Sequence, residues 1–486
     1  MASPLSAGMT IELTIDALAT GGKAVARLPE CVPTSSPSPT ADDDTEAMAG
    51  AGGMVVFVDR GLPGQTVRVT LTKVKKRFAE ATLDAVLTPA PGEVPPFCRH
   101  FGVCGGCLWQ TLPYPEQLAW KRRFVEDSLR RIAGVCDVET APTIASPAQA
   151  AYRNKMEFAF LQGRGEMHLG LRRLASHSVV NITECHLQSE TATAIVQYVR
   201  QWANAHPTLR AYDPRSGKGF LRFLVIRETR RTGQRTVQII TSPDPHAGGG
   251  GNAAVAALGE DLLRQFPGLH GIIHSTRTAS SQVAYGEHDI LVLGTAELTE
   301  RLTLGNREAE LSIGGPDVFF QVNTEAAERL YATVLGMAAP TGTEIVWDLY
   351  CGVGAIALGA APRSRRVVGF ELSEPAVATA TANAERLSAS NAVFHAGDVR
   401  QTMAKERETP HILITDPPRG GMHPDVVAAI IQHAPQRIVH VSCDPATQAR
   451  DIALMLPAYT VRRIQPVDMF PHTPHVESVV LLERRS

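Results

Sequence analysis

The sequence predicts a multi-domain chain in three parts: an N-terminal OB-like β-barrel, a mixed α/β central region, and a C-terminal α/β domain built on a Rossmann-like, doubly wound parallel sheet. Three observations predict it. Alternating apolar and polar residues, with Gly and Pro at the turns, fill most of residues 1–90. The decapeptide "CRHFGVCGGC" (98–107) opens the middle, and five short apolar runs, each ending in a polar or Gly/Pro loop, recur after residue 311. A chain of 486 residues is also too long for a single core.

The first part rests on "MTIELTIDALATGGKAVARLPE" (9–30) and on residues 54–90, whose patterning suits about five strands closed into a small barrel. Between them, residues 31–53 are rich in Ser, Pro, Asp, Ala and Gly and hold little bulky apolar content, which reads as a disordered insert. Cys31 lies in that insert and is a poor candidate for metal ligation.

In the middle part, Cys98, Cys104 and Cys107 crowd three of the eight cysteines into ten positions around Gly105 and Gly106. Thiols spaced C-x5-C-x2-C are normally held by a metal, and a fourth ligand is then needed. Cys136 and Cys185 are the candidates. Zinc and iron both accept four thiolates, so spacing does not separate them. A helix follows over 114–133, closed by Gly134, and 152–310 reads as mixed strands and helices with a surface loop at 242–252.

The five runs of the last part are "EIVWDLY", "RRVVGFEL", "AVFHAGD", "HILITDPP" and "RIVHVSC". Open α/β sheets bind ligands at the carboxyl ends of their strands. There the sequence sets four carboxylates, Asp348, Glu371, Asp398 and Asp416, beside a Gly352–Gly354 loop. Gly352-x-Gly354-x-x-Ala357 also satisfies a loose dinucleotide fingerprint, so a nicotinamide cofactor stands as a rival. Clustered anions repel a pyrophosphate and suit the cationic S-adenosylmethionine. Cys443 ends the fifth run at the same crevice, the place for a nucleophile, and Glu477 opens a last strand from which it could serve as a base.

Composition bounds the rest. Net charge is −2, and no run approaches the roughly 20 apolar residues of a membrane helix. The first residues lack a basic flank and an apolar h-region, which with uneven cysteine spacing reads as a cytoplasmic, thiol-reduced protein without membrane association. Basic residues bunch in "KVKKRF" (73–78), "WKRRF" (120–124), "LRRL" (171–174) and "RETRRTGQR" (227–235), which together point to an anionic partner.

At this point the residues resemble the RNA uracil-C5 methyltransferases that carry an N-terminal TRAM domain and an iron–sulfur cluster. The markers span nearly the whole chain: "CRHFGVCGGC", "YRNKMEF", "LRFLVIRET", "DVFFQVN", "DLYCGVGAIAL", "DPPRGG", "VSCDPATQARD" and "PHTPHVESVVLL". The resemblance implies a TRAM domain over 1–90, a central iron–sulfur and RNA-binding domain over 91–310, and a methyltransferase domain over 311–486. It implies a [4Fe–4S] cluster on Cys98, Cys104, Cys107 and Cys185. It assigns S-adenosylmethionine contacts to Gln321, Tyr350, Glu371 and Asp416 with Asp398 on the adenine side, the nucleophile to Cys443 and the base to Glu477. Phe319 and Asn323 match positions on the target-base side.

The product implied is 5-methyluridine in RNA. Possession of both the TRAM domain and the cluster looks more like the enzymes of 23S rRNA than those of tRNA, which stand as the alternative. The chain is read as a monomer, with no sequence feature that fixes its oligomeric state. Ala355 departs from the family, which often has a polar residue there. Neighbouring classes fit less well. Radical methylthiotransferases need C-x3-C-x2-C, cytosine-C5 enzymes place a cysteine where Arg419 follows Pro418, and a non-catalytic RNA-binding protein needs no Cys443–Glu477 pair.

Overall fold

The computed structural model describes residues 5–28, 53–244 and 250–485, so nearly all of the insert read at 31–53 lies outside the described residues. Two compact units emerge. One comprises Met1–Phe97, Cys107–Trp120 and His472–Pro474; the other comprises Cys98–Gly106, Lys121–Pro471 and His475–Ser486.

The first unit is a closed five-stranded barrel of β1 (Thr10–Leu18), β2 (Ala24–Arg27), β3 (Val55–Val58), β4 (Thr66–Val74) and β5 (Phe78–Thr88), in the order β1-β2-β3-β5-β4. Alternation along β1 turns Ile11, Leu13 and Ile15 inward while Thr10, Glu12 and Thr14 face water. Closure leaves the barrel no open sheet edge.

The second unit holds two seven-stranded sheets. The first runs β12-β11-β10-β9-β6-β7-β8 and is built from β6 (Lys155–Gln162), β7 (Met167–Arg172), β8 (Val179–Asn181), β9 (Leu221–Glu228), β10 (Arg235–Thr241), β11 (Gly271–Thr276) and β12 (His288–Gly294). Helices Glu190–Ala205 and Gly250–Gln265 cover one face, where Ile195 and Leu258 pack with Leu224 and Ile239. Phe223, Val225 and Ile240 point to the opposite face and meet Ala284. The loop expected at 242–252 gives way to helix at Gly250, and 245–249 lie outside the described residues.

After the hairpin β13 (Thr299–Leu304) and β14 (Arg307–Ser312) and the helix Thr324–Ala338 comes the second sheet. Its strands are β15 (Ile345–Leu349), β16 (Arg366–Glu371), β17 (Ala392–Ala396), β18 (Ile412–Thr415), β19 (Arg437–Ser442), β20 (Tyr459–Val467) and β21 (Glu477–Arg484), in the order β17-β16-β15-β18-β19-β21-β20. The five sequence runs all become parallel strands, and β20 and β21 add an antiparallel edge. β15 pairs with β16 on one side and β18 on the other, so the strand order reverses there and a crevice opens at its carboxyl end. Alternate residues feed separate cores: Val346, Ile414 and Val439 join one, Trp347, Leu413 and Ile438 the other.

Two of the basic runs turn partly inward. Lys121 and Asp468 have no exposed side-chain surface and meet at 2.5 Å. Lys121 Nζ also donates to the Phe470 carbonyl at 2.9 Å. Arg227 is 2% exposed and donates to the Gly315 carbonyl at 2.5 Å. Arg231 and Arg235 pair with Glu328 and Glu228. A buried charge demands a partner, and removing one member strands the other. Lys121→Met is therefore expected to destabilise the protein by about 3–5 kcal/mol. A urea midpoint equal to that of the native chain would contradict this.

Candidate active site

β15 ends at the motif "DLYCGVG", and the chain turns sharply there. Tyr350 takes φ +64°, Gly352 +53° and Gly354 +83°, before the helix Ala355–Ala360 begins. A Cβ on Gly354 would sit 3.0 Å from the Phe394 ring, so both its dihedral and its surroundings favour glycine. The turn opens a cleft of about 400 Å³, part of it solvent, lined among others by Phe319, Gln321, Tyr331, Asp348, Tyr350 and Asp416.

The four strand-end carboxylates are used differently. Glu371 accepts from the Gly352 N–H at 3.1 Å and the Ser373 N–H at 2.9 Å, so it braces the glycine loop. Asp398 caps the helix Val399–Met403 and pairs with Arg400 at 2.6 Å. Hydrogen bonds from Arg400 pull its carboxyl down to about 2. Asp348 and Asp416 face the cleft. Burial holds Asp348 well above the usual carboxylate range, with Asp416 adding to the effect. Neither of its oxygens makes a well-formed hydrogen bond, and the Ala357 backbone opposes the shift only in part. Burial raises Asp416 to about 6. A buried carboxyl without a well-formed hydrogen bond, Asp348, beside the half-buried Asp416 suits a cationic ligand with hydroxyls, which fits S-adenosylmethionine. Gln321 lies in the same lining, 8% exposed, its carbonyl fixed by Asn154 Nδ2 at 2.9 Å.

Cys443 and Glu477 come together through strand register. β19 and β21 pair antiparallel with Ser442 opposite Ser478, so the next positions outward are Cys443 and Glu477. Burial pushes the Cys443 thiol up to about 11, with Glu477 and Asp416 acting the same way and the Arg419 guanidinium against them. Glu477 is 3% exposed, and burial with Asp416 beside it raises its carboxyl to about 8, again opposed by Arg419. One thiol, two carboxyls and one guanidinium thus share the end of the sheet. Arg419 was read in the sequence only as the residue after Pro418, and its place three positions beyond a strand-end Asp was the available signal. Tyr331, on an apolar helix, carried none.

Of the two residues matched to the target-base side, Phe319 is 67% exposed at the cleft. Asn323 is 1% exposed and occupied: it caps the helix Thr324–Ala338 through Ala326 N and donates to Ser146 Oγ and the Met469 carbonyl, each at 3.1 Å.

The raised Glu477 carboxyl has a consequence for stability. The folded chain keeps a proton that the unfolded chain releases near the ordinary value of 4.5, so the stabilisation is complete below 4.5 and is lost as pH rises through about 8. Glu477→Gln cannot ionise. Its stability relative to the native chain should rise between about pH 4.5 and about pH 8, and a pH-independent difference in urea midpoint would contradict the buried, protonated carboxyl.

The cysteine cluster lies apart in sequence. Cys104 is buried, Cys98, Cys107 and Cys185 are half-buried, and Cys136 is exposed. Burial raises Cys185 to about 11, and Cys104 and Cys98 add to it, so these three thiols share one electrostatic neighbourhood. Among the described residues no group of three or more His, Cys, Asp or Glu is arranged as a metal site. No described helix is long and apolar enough to cross a membrane.

Comparison with known proteins bears on the whole chain. A family model described as tRNA (Uracil-5-)-methyltransferase matches residues 275–485, and a TRAM domain model matches 4–83. An uncharacterized RNA methyltransferase of Nitratidesulfovibrio vulgaris is 48% identical over 485 residues, covering 98% of this chain and 97% of that one. A second, from Bacteroides thetaiotaomicron, is 36% identical over 461 residues, covering 90% and 99%. The tRNA (uracil-54, C5)-methyltransferase of Pyrococcus abyssi, solved with S-adenosyl-L-homocysteine, superposes with a TM-score of 0.70 at 25% identity, over 97% of this chain and all of that one. With a TRAM domain at its N-terminus and a methyltransferase domain at its C-terminus, the chain belongs to the RNA (uracil-C5-)-methyltransferase family.

Proposed function

We propose that the protein methylates uridine C5 in RNA, with 23S rRNA as substrate, through a covalent bond between Cys443 and C6 of the base. The observation that carries this reading is the register pairing of Cys443 with Glu477 beside Asp416 and Arg419. Uracil C5 is too poor a nucleophile to take a methyl group unaided. Addition of the Cys443 thiolate at C6 loads the ring with electrons and makes C5 nucleophilic, and Arg419 offsets the burial that otherwise holds the thiol protonated. Bound S-adenosylmethionine supplies the electrophilic methyl group. Glu477 then takes the C5 proton, and loss of Cys443 from C6 releases 5-methyluridine.

Gln321, Tyr350 and Asp416 would hold the cofactor in the cleft, with Glu371 keeping the glycine loop in place and Asp398 at the adenine side. Tyr350 supports this: its ring lines the cleft, and burial with Asp398 nearby pushes its phenol up to about 12. The target base has to leave its stack, which favours a loop or single-stranded uridine. Arg153 and Lys155 would meet the flanking backbone, so affinity should fall with rising salt.

Cys98, Cys104, Cys107 and Cys185 would hold a [4Fe–4S] cluster. The donor chemistry fits, and the shared neighbourhood of Cys98, Cys104 and Cys185 supports the fourth ligand. With four thiolates the cluster has a structural role, tying residues near 100 to residues near 185. The purified protein should be brown and contain about four irons and four sulfides per chain, whereas a colourless protein with one zinc would overturn the assignment.

A tRNA substrate is the second reading, favoured by the likeness to the Pyrococcus abyssi enzyme. Mapping 5-methyluridine in a strain lacking the gene decides between them. Loss of a mark from 23S rRNA supports the first reading; loss only from tRNA replaces it with the second.

A further inference from the structure

We propose that the loop 277–287, between β11 and β12, is a preformed stacking platform for the nucleotide next to the target uridine, with Tyr285 and Val283 as the residues that touch RNA. The inference rests on the reading of Phe319 as lying at the uridine's entrance to the cleft.

The loop is held from within by a buried cation. Arg222 is 3% exposed and donates to the carbonyls of Arg277 at 2.8 Å, Ala279 at 2.7 Å and Ser281 at 3.2 Å. Glu287 closes the other side, accepting from the Thr278 N–H at 2.7 Å and the Ala279 N–H at 3.2 Å. Ala284 anchors the loop to the sheet face that the helices leave open. Such a frame leaves the backbone little freedom. Yet it turns its apolar side chains outward: Val283 is 56% exposed and Tyr285 48%.

Beneath the tyrosine lies a second cation. The Arg277 guanidinium is 5.9 Å from the Tyr285 ring centroid and donates to the Tyr285 carbonyl at 3.2 Å. An exposed aromatic ring beside a guanidinium is the combination on which an unstacked base settles.

The platform is joined to the active site. Gly286 N–H donates to Asp317 Oδ1 at 3.1 Å, and Gln238 Nε2 donates to Asp317 Oδ2 at 3.0 Å. Only glycine permits that approach, because a Cβ at Gly286 would fall 2.5 Å from Ser275 Cβ. Phe319 follows Asp317 by two residues, so the ring at the cleft and the ring on the loop are tied through a single carboxylate.

The test is steady-state methylation of rRNA from a strain lacking the gene. Tyr285→Ala should raise KM for RNA on the order of tenfold with kcat little changed, and leave S-adenosylmethionine affinity and melting temperature unchanged. Tyr285→Phe, which keeps the ring, should behave as the native enzyme. A Val283→Ser/Tyr285→Ala double variant with native KM for RNA overturns the platform, as does a Tyr285→Ala loss that tracks lowered cofactor affinity or melting temperature. Failure of the native enzyme to methylate RNA would instead strike the parent reading.

Discussion

Replacing Cys443 by Ala should lower methyl transfer to RNA by on the order of 10⁴-fold or more, while S-adenosylmethionine still binds. Removal of the nucleophile leaves no way to load the ring at C6, and positioning of the two substrates cannot substitute for it. Binding should persist because the cleft is lined by Gln321, Tyr350, Asp348 and Asp416, none of which depends on the thiol. Isothermal titration with the cofactor and transfer of labelled methyl groups measure the two halves separately. Turnover retained by Cys443→Ala would remove it as nucleophile.

Glu477→Gln should have the opposite signature, with RNA becoming trapped on the enzyme. If Glu477 takes the C5 proton, the amide stops the reaction after methyl transfer, with Cys443 still bonded to C6. A denaturing gel should then show an RNA–protein band dependent on cofactor and on Cys443. The buried carboxyl at about 8 has to lose its own proton first, and the neighbouring Arg419 favours that ionised form. An inactive variant without the band would place the role of Glu477 before bond formation.

The parallel strands were the most legible part of the fold. Each of the five apolar runs became a strand: β15, β16, β18 and β19 are buried on both faces and so apolar almost throughout, while β17, half-exposed at the sheet edge, is the weakest of the runs. The barrel was legible for the complementary reason, one wet face giving strict alternation. Long-range charge burial was not. Lys121 stands in "WKRRF", which looks like a solvated basic run, and only the fold brings Asp468, 347 residues away, to its ammonium. Arg227 was equally hidden, since nothing local announces the Gly315 carbonyl.

At the site, strand-end position named candidates without showing the hydrogen bonds each one makes. Glu371, Asp398 and Asp416 all read as ligands, and the sequence did not show that Glu371 also accepts from the Gly352 N–H and that Asp398 pairs with Arg400, while Asp348 and Asp416 line the cleft. Asn323 sat in a motif beside Gln321, yet as the residue before a helix it was also a capping candidate, and it takes that role. Arg419 needed the fold before Cys443 and Glu477 were known as its neighbours.

The most direct measurement follows the fate of the C5 hydrogen. Purified enzyme, S-adenosylmethionine and RNA carrying tritium at uridine C5 should release tritium to water in step with formation of 5-methyluridine, one for one. Methyl groups recovered on cytosine, on ribose or on a ring nitrogen, with tritium retained, would contradict the account.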